Sequence, residues 1–464
     1  MLFSSSIFLF VFLPVVLLCY YLPFRGHRQG QNMLLLAASL LFYAFGEPWF
    51  VFVMIASILA NYGFGLWVDA ARRKGWSRRL PIVCTVVFNM SIFFVFKYLV
   101  FVLTNLNLLG FQFMIPVIEL PIGISFFTFQ AMSYVLDVSR GDAPVQRSPF
   151  KVGLYVSLFP QLIAGPIVRY TTIADEIDGR RETWADFSSG VSRFLVGLGK
   201  KVLLSNQLAV VADTAFGGGA PSSVAFGWLG AVCYILQLYY DFSGYSDMAI
   251  GLGRIFGFRF NENFDHPYCA DSVGTFWRRW HMSLTSWFRD YLYIPLGGNR
   301  GGTARTIRNL LIVWFCTGFW HGASWNFILW GLYFAAWLIL ERYVLRGVLE
   351  KTPAILKHLY TLIVVFVGWG LFAMVDLGVC GDYLAACFGG APLWSGADLF
   401  RLRSYAVTLA VLVLASTALG QRLWAKLPRQ AEQLATPVLM GLSLVVCTAY
   451  LVDGSYNPFL YFRF

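Results

Sequence analysis

An all-α protein that threads a membrane many times is the fold the sequence predicts. Three observations carry it. Of 464 residues, 58% are hydrophobic and 13% charged, where a soluble domain carries about 25% charged residues. Aromatic residues make up 18%, with 16 Trp and 23 Tyr, rings that favour the membrane–water boundary because they can be half dry and half wet. Long apolar stretches recur from the first residues to the last, which leaves no room for a large soluble domain. The chain is read as one membrane-embedded domain, residues 1–464.

A crossing helix needs roughly 20 apolar residues. Candidate spans are 7–23, 32–46, 49–68, 81–104, 114–138, 151–168, 191–211, 224–240, 243–258, 307–321, 324–345, 359–378, 404–420 and 434–452. Several are too short for a full crossing and are read as re-entrant or tilted. Residues 1–23 lack a basic start and a small-residue cleavage site, so they read as a retained first span.

Loop charge gives an orientation. Arg25 and Arg28 occupy one loop and only Glu47 the next. The following loops hold Arg72, Arg73, Lys74, Arg78 and Arg79, then no charge, then Arg140, Arg147 and Lys151. The alternation assigns the basic loops to the cytoplasm and both termini to the far side. The stretch Asp175 to Asp186 mixes signs and reads as a surface loop. The formal charge of +11 therefore reports membrane topology and lipid contact rather than nucleic acid. The eight cysteines form no CxxC pair and no zinc spacing, so no metal site is expected. Cys380 and Cys387 read as small hydrophobes rather than a disulfide.

Of five histidines, two sit in unusual company. His281 lies in TFWRRWHMSLTSWFRDYLYIPLGG, residues 275–298. On a single helix Arg278, His281, Thr285 and Arg289 make one stripe, while Phe276, Trp280, Leu284, Trp287, Tyr291 and Ile294 make the other face. Spacing alone leaves two readings open, an interfacial helix on lipid headgroups or the wall of a polar funnel.

His321 lies in LLIVWFCTGFWHGASWNFILWG, residues 310–331, with Trp314, Gly318 and Trp325 on its helical face. Basic residues flank both sides. A helix from Asn309 to Trp320 rises only about 18 Å, against about 30 Å for a crossing. The count predicts a hairpin turning inside the membrane with His321 at its tip. An ionisable residue at that depth is a functional candidate, and burial favours its neutral, proton-accepting ring. A histidine satisfied by a neighbouring helix remains the competing reading.

The stretch YYDFSGYSDMAIGLGRIFGF, residues 239–258, holds Asp241, Asp247 and Arg254. Asp247 and Arg254 are two turns apart, which predicts a structural ion pair. There is no GxSxG elbow, no P-loop and no HExxH. Acid–base work by histidine is the chemistry left open.

At HGASW and RRWHMSLTSWFRDYLYIPLGG the chain resembles the membrane-bound O-acyltransferase family, and most closely the bacterial branch that serves alginate O-acetylation, with its cellulose-acetylating relatives. PIGISFFTFQAMSYVLDVSRG, QLIAGPI, DFSGYSDMAIGLGRIFGF, NRGGTARTIRNL and the C-terminal NPFLYFRF are similar to that branch too. The resemblance implies a many-helix fold with a central funnel or tunnel and a catalytic core within 225–345. It implies that His321 is catalytic and His281 the second essential position. Arg278, Arg289, Trp280, Gly318, Trp325, Asp241 and Asp247 are further candidates for the funnel. The resemblance further implies an O-acetyltransferase of the bacterial inner membrane with no bound cofactor. Its donor would be acetyl-CoA from the cytoplasm, and its partners periplasmic SGNH-type acetyltransferases or adaptors that modify alginate, cellulose or peptidoglycan. Without the resemblance, two classes compete: a transporter or flippase using Asp241, Asp247 and His321, and a non-catalytic scaffold of an export complex.

Overall fold

Inside a bilayer a backbone N–H or C=O has no water to bond, so an apolar run must satisfy its own main chain, and a helix does this within one segment. The computed structural model describes residues 1–217 and 220–454, and among these there are helices and loops but no strand. Among the described residues, five helices are long and apolar enough to cross a membrane: Phe50–Arg73, Arg79–Leu108, Trp184–Gly217, Ala354–Ala373 and Arg429–Asp453. The fold is the multi-helix membrane architecture that composition predicts. NPFLYFRF, residues 457–464, and the placement of the C-terminus lie outside the described residues.

Several predicted spans have different bounds. The 114–138 span is not helical through residue 121, and its helix is Ile124–Arg140. Pro116 and Pro121 cannot continue a helix, and Gly123, at φ 75°, supplies the left-handed turn that starts one. The 224–240 and 243–258 spans are one helix, Val224–Ile255. Its polar middle looked like a break, but Asp241 is 2% exposed there and neutralised by a partner. The 151–168 span divides into Pro149–Ser157 and Phe159–Leu162 before the chain becomes irregular.

The chain forms two compact units. The first comprises residues 1–195 and 245–261. Phe3, Phe8, Phe12, Phe42 and Phe159 pack ring on ring in it, and Phe3 stacks on Tyr245 at 4.4 Å. Asn61 and Asn89, both fully buried, exchange amide hydrogen bonds of 3.1 and 2.8 Å between neighbouring helices. The stretch 175–186 is not a simple surface loop. Arg180 is 4% exposed and donates to Tyr20 Oη at 3.1 Å, while Glu182 pairs with Arg28 at 2.5 Å. Its mixed charges are sheltered because they satisfy one another.

Asp247 belongs to this unit, and its partner is Arg193 at 2.6 Å. The expected pair with Arg254 does not hold Asp247. Gly251 lets the segment carrying Arg193 approach closely: a Cβ there would lie 2.6 Å from Gly190 O.

The second unit comprises residues 196–244 and 262–464. Lys201, 1% exposed, meets Asp241 at 2.6 Å. Cys380 and Cys387 are free thiols, buried around Tyr383. This unit also holds the helical hairpin of Thr303–His321 and Trp325–Tyr343 and the short helices that precede it.

Candidate functional site

His321 is the last residue of the first hairpin arm. The arm runs 19 residues, a rise of about 28 Å, because the helix begins at Thr303 rather than at Asn309. His321 is at the tip as predicted, but the arm's length no longer requires a turn inside the bilayer. The arms touch backbone to backbone. A Cβ on Gly318 would lie 2.3 Å from Phe327 O, and one on Gly331 would lie 2.3 Å from Trp314 O. Gly318 is thus a close-packing residue, and the space beside it is taken by the opposite arm.

At the tip, His321 Nδ1 lies 2.7 Å from Thr317 O. A carbonyl only accepts, so Nδ1 carries the proton and the neutral ring keeps its lone pair on Nε2.

His281 does not lie on a continuous helix, contrary to the sequence reading. Val273–Arg279 ends at Trp280, and Met282–Phe288 begins after His281. His281 itself is left-handed, with φ 45°, which costs energy for a residue with a Cβ. The break is held from outside. Asn263 O accepts Met282 N–H at 3.0 Å, and Asn263 Oδ1 accepts Ser283 N–H at 3.3 Å and Ser283 Oγ–H at 2.9 Å. The apolar periodicity of Phe276, Trp280 and Leu284 continues through the break, so periodicity did not reveal it. The single polar stripe is lost with the helix.

His281 is 2% exposed. Its Nδ1 lies 3.1 Å from Asn263 Oδ1, while its Nε2 is buried without a hydrogen-bond partner among the described residues. His281 lies outside every candidate span. Burial first, and His321 second, hold its ring well below the ordinary histidine range, so it is neutral at physiological pH.

The two histidines share a partly open cavity of about 80 Å³. Its wall includes Trp277, Trp280, Thr285, Phe288, Trp314 and Thr317. The Trp277 indole N–H is buried without a partner among the described residues, and its ring meets Trp314 edge-on at 4.8 Å.

The model of the membrane-bound O-acyltransferase family matches residues 142–380, which include both histidines. The chain belongs to the membrane-bound O-acyltransferase family. It is an acyltransferase. Relatives within the family extend the match. The probable alginate O-acetylase AlgI of Azotobacter vinelandii is 39% identical, with all of both chains covered. The protein of the same name from Pseudomonas putida is 40% identical, again with all of both covered. A peptidoglycan O-acetyltransferase of Helicobacter pylori is 34% identical over 81% of this chain and 78% of its own.

Of the sequence-predicted candidates, the structure brings His281, His321 and Trp280 to one cavity. Arg278 does not line it. Its guanidinium donates to Thr275 Oγ1 at 2.8 Å on an exposed edge. Arg289 is exposed and pairs with Asp290 at 2.6 Å. Trp325 begins the second arm and is 53% exposed, so it does not share the His321 face. Asp241 and Asp247 are engaged in their ion pairs. Sequence reasoning missed Asn263, Trp277 and Thr317. Trp277 and Thr317 were readable as neighbours of the two histidines by helical spacing. Asn263, in a polar loop 262–272, gave no signal beyond a turn residue.

Proposed function

We propose that the chain is an O-acetyltransferase of the bacterial inner membrane, multi-pass with its termini on the periplasmic side, that acetylates hydroxyls for an exported polysaccharide. The observation that carries this reading is the pairing of two imidazoles on one small cavity, each with its Nδ1 beside a carbonyl oxygen, an arrangement that leaves the lone pair of a neutral ring to Nε2. The size of the cavity suits the group. A cavity of about 150 Å³ accepts benzene, so about 80 Å³ suits a two-carbon acyl group. The names of the relatives make alginate the first polymer to test, before peptidoglycan and before the cellulose that the sequence resemblance also allows.

The donor in this reading is acetyl-CoA, presented from the cytoplasm. The acceptor hydroxyl gives its proton to His321 Nε2 as its oxygen attacks the thioester carbonyl carbon. The C–S bond then breaks, the leaving thiolate takes the proton from the imidazolium, and the ring returns to neutral. General-base help of this kind is typically worth about 10²–10⁴-fold. The oxyanion donor in this reading is Trp277, whose indole N–H, without a partner among the described residues, belongs to the cavity wall. His281 Nε2 accepts from a second donor on the substrate and orients it. Periplasmic partners of the SGNH type carry the acetyl group onward to the polymer. The ion pairs of Asp241 and Asp247 weigh against a transporter that would use them as proton carriers.

The test is reconstitution in proteoliposomes with acetyl-CoA labelled in its acetyl group. Wild-type protein transfers label to hydroxyl acceptors, while His321→Ala inserts equally and transfers none. Normal transfer by that variant removes His321 from the mechanism. Solute movement without covalent transfer returns the transporter.

A further inference from the structure

We infer that Asn263 is the positioning residue of the site, fixing the tautomer and direction of the His281 ring. This rests on the acyltransfer reading for its purpose, but not for its geometry. One side-chain oxygen, on a residue 1% exposed, stands within reach of three donors: His281 Nδ1 at 3.1 Å, Ser283 N at 3.3 Å and Ser283 Oγ at 2.9 Å. The Ser283 backbone N–H can only donate, so the Asn263 atom facing it is the carbonyl oxygen and not the amide nitrogen. That oxygen has no proton to give and takes that of Ser283 Oγ, which lies 3.4 Å from the same imidazole nitrogen, so the nitrogen beside the two oxygens carries a proton of its own. Nε2 is thereby left as the bare base. It is also the buried ring atom without a partner among the described residues, in a residue of the cavity wall.

The same residue accounts for the strained backbone. Its carbonyl takes Met282 N–H at 3.0 Å, so Asn263 grips the chain on the C-terminal side of His281 through both main chain and side chain. Phe242 closes one face of the ring edge-on at 4.7 Å, and Trp320 lies 6.1 Å away. The titratable group acting on His281 is His321. An imidazole in an aromatic wall has two nitrogens that dry packing does not distinguish. The Asn263 oxygen makes the distinction, as an orienting group does for a metal-bound or triad histidine.

The test has two arms. In the first, protein labelled with ¹⁵N-histidine is examined by NMR. Five histidines make the spectrum assignable with His281→Gln. Wild-type His281 shows protonated Nδ1 and bare Nε2, and Asn263→Ala, still inserted, shows the two tautomers mixed. A wild-type ring protonated on Nε2, or a tautomer unchanged in Asn263→Ala, overturns the proposal. This arm needs no turnover, so it stands apart from the failure of the acyltransfer reading. The second arm is the pH profile of acetyl transfer by Asn263→Asp, of nearly equal shape. A carboxylate against Nδ1–H favours the imidazolium, so the acid limb moves up by about one to three pH units, with turnover recovered above it. A profile superimposable on wild type assigns Asn263 a merely structural role and also overturns the proposal.

Discussion

His281 and His321 meet through Trp320, whose ring lies 6.1 Å from the first imidazole and 4.9 Å from the second. Forty residues apart in sequence, the two rings line one cavity and act on each other electrostatically. They should therefore fail together. His281→Ala and His321→Ala each lower acetyl transfer strongly, and the double variant is scarcely worse than the worse single one. Residues that act as a unit give non-additive losses. Rates for the four proteins in one proteoliposome preparation check this, and losses that multiply would mean that the rings work independently.

The tip position of His321 was legible because the signals were local: an apolar run, a histidine and a Gly-Ala-Ser turn before the next apolar run. The break at His281 was not legible. Phe276, Trp280, Leu284 and Trp287 keep helical spacing across it, and what interrupts the helix is Asn263, a residue in another loop. Asp247 teaches the same lesson. Its sequence neighbour Arg254 offered a pair at helical spacing, but in space Asp247 pairs with Arg193, at 2.6 Å. Local periodicity finds which faces are apolar; it does not report which distant side chain completes a buried polar group.

The oxyanion role proposed for Trp277 can be tested by separating ring from N–H. Trp277→Phe keeps an aromatic wall against Trp314 and removes the donor. If that donor bonds charge that develops only in the transition state, kcat falls by about 10²-fold or more while KM for the donor holds, within the range seen for oxyanion-hole donors. A rise in KM with kcat intact would place Trp277 in packing alone.

The Lys201–Asp241 pair is nearly sealed, with side chains 1% and 3% exposed. Removing one partner leaves a buried charge, so Lys201→Met should cost about 3–5 kcal/mol, read as a lowered thermal midpoint in detergent. Adding Asp241→Leu should restore most of that loss, since an apolar pair of similar volume leaves no uncompensated charge. If the single variant is as stable as wild type, the aspartate keeps a proton of its own, and the transporter class regains ground.

Gly318 and Gly331 set the spacing of the hairpin. The atoms that an added Cβ would meet at 2.3 Å are main-chain carbonyl oxygens of Phe327 and Trp314, which cannot swing aside as a side chain can. Alanine at either position should part the arms and cost about 1–3 kcal/mol. It should also displace His321, three residues beyond Gly318. Thermal midpoint and acetyl transfer should fall together, whereas alanine at Gly347, whose added Cβ meets nothing within 4 Å, should change neither.

Acid should unfold the protein through His281. Its ring titrates well below the ordinary histidine value of 6.5 in the folded chain, while an unfolded chain exposes it and restores that value. Between the two values the unfolded state holds the extra proton, so stability rises with pH across that window. The contribution of His281 is complete above about pH 6.5 and is lost as the pH falls toward and through the folded value. Replacing the ring by His281→Asn removes the proton-binding group from both states. Thermal midpoints measured from neutral pH downward should decline more steeply for wild type than for the variant. Parallel curves would show that the ring gains its proton as readily in the fold as outside it, and that the cavity wall does not keep water from it.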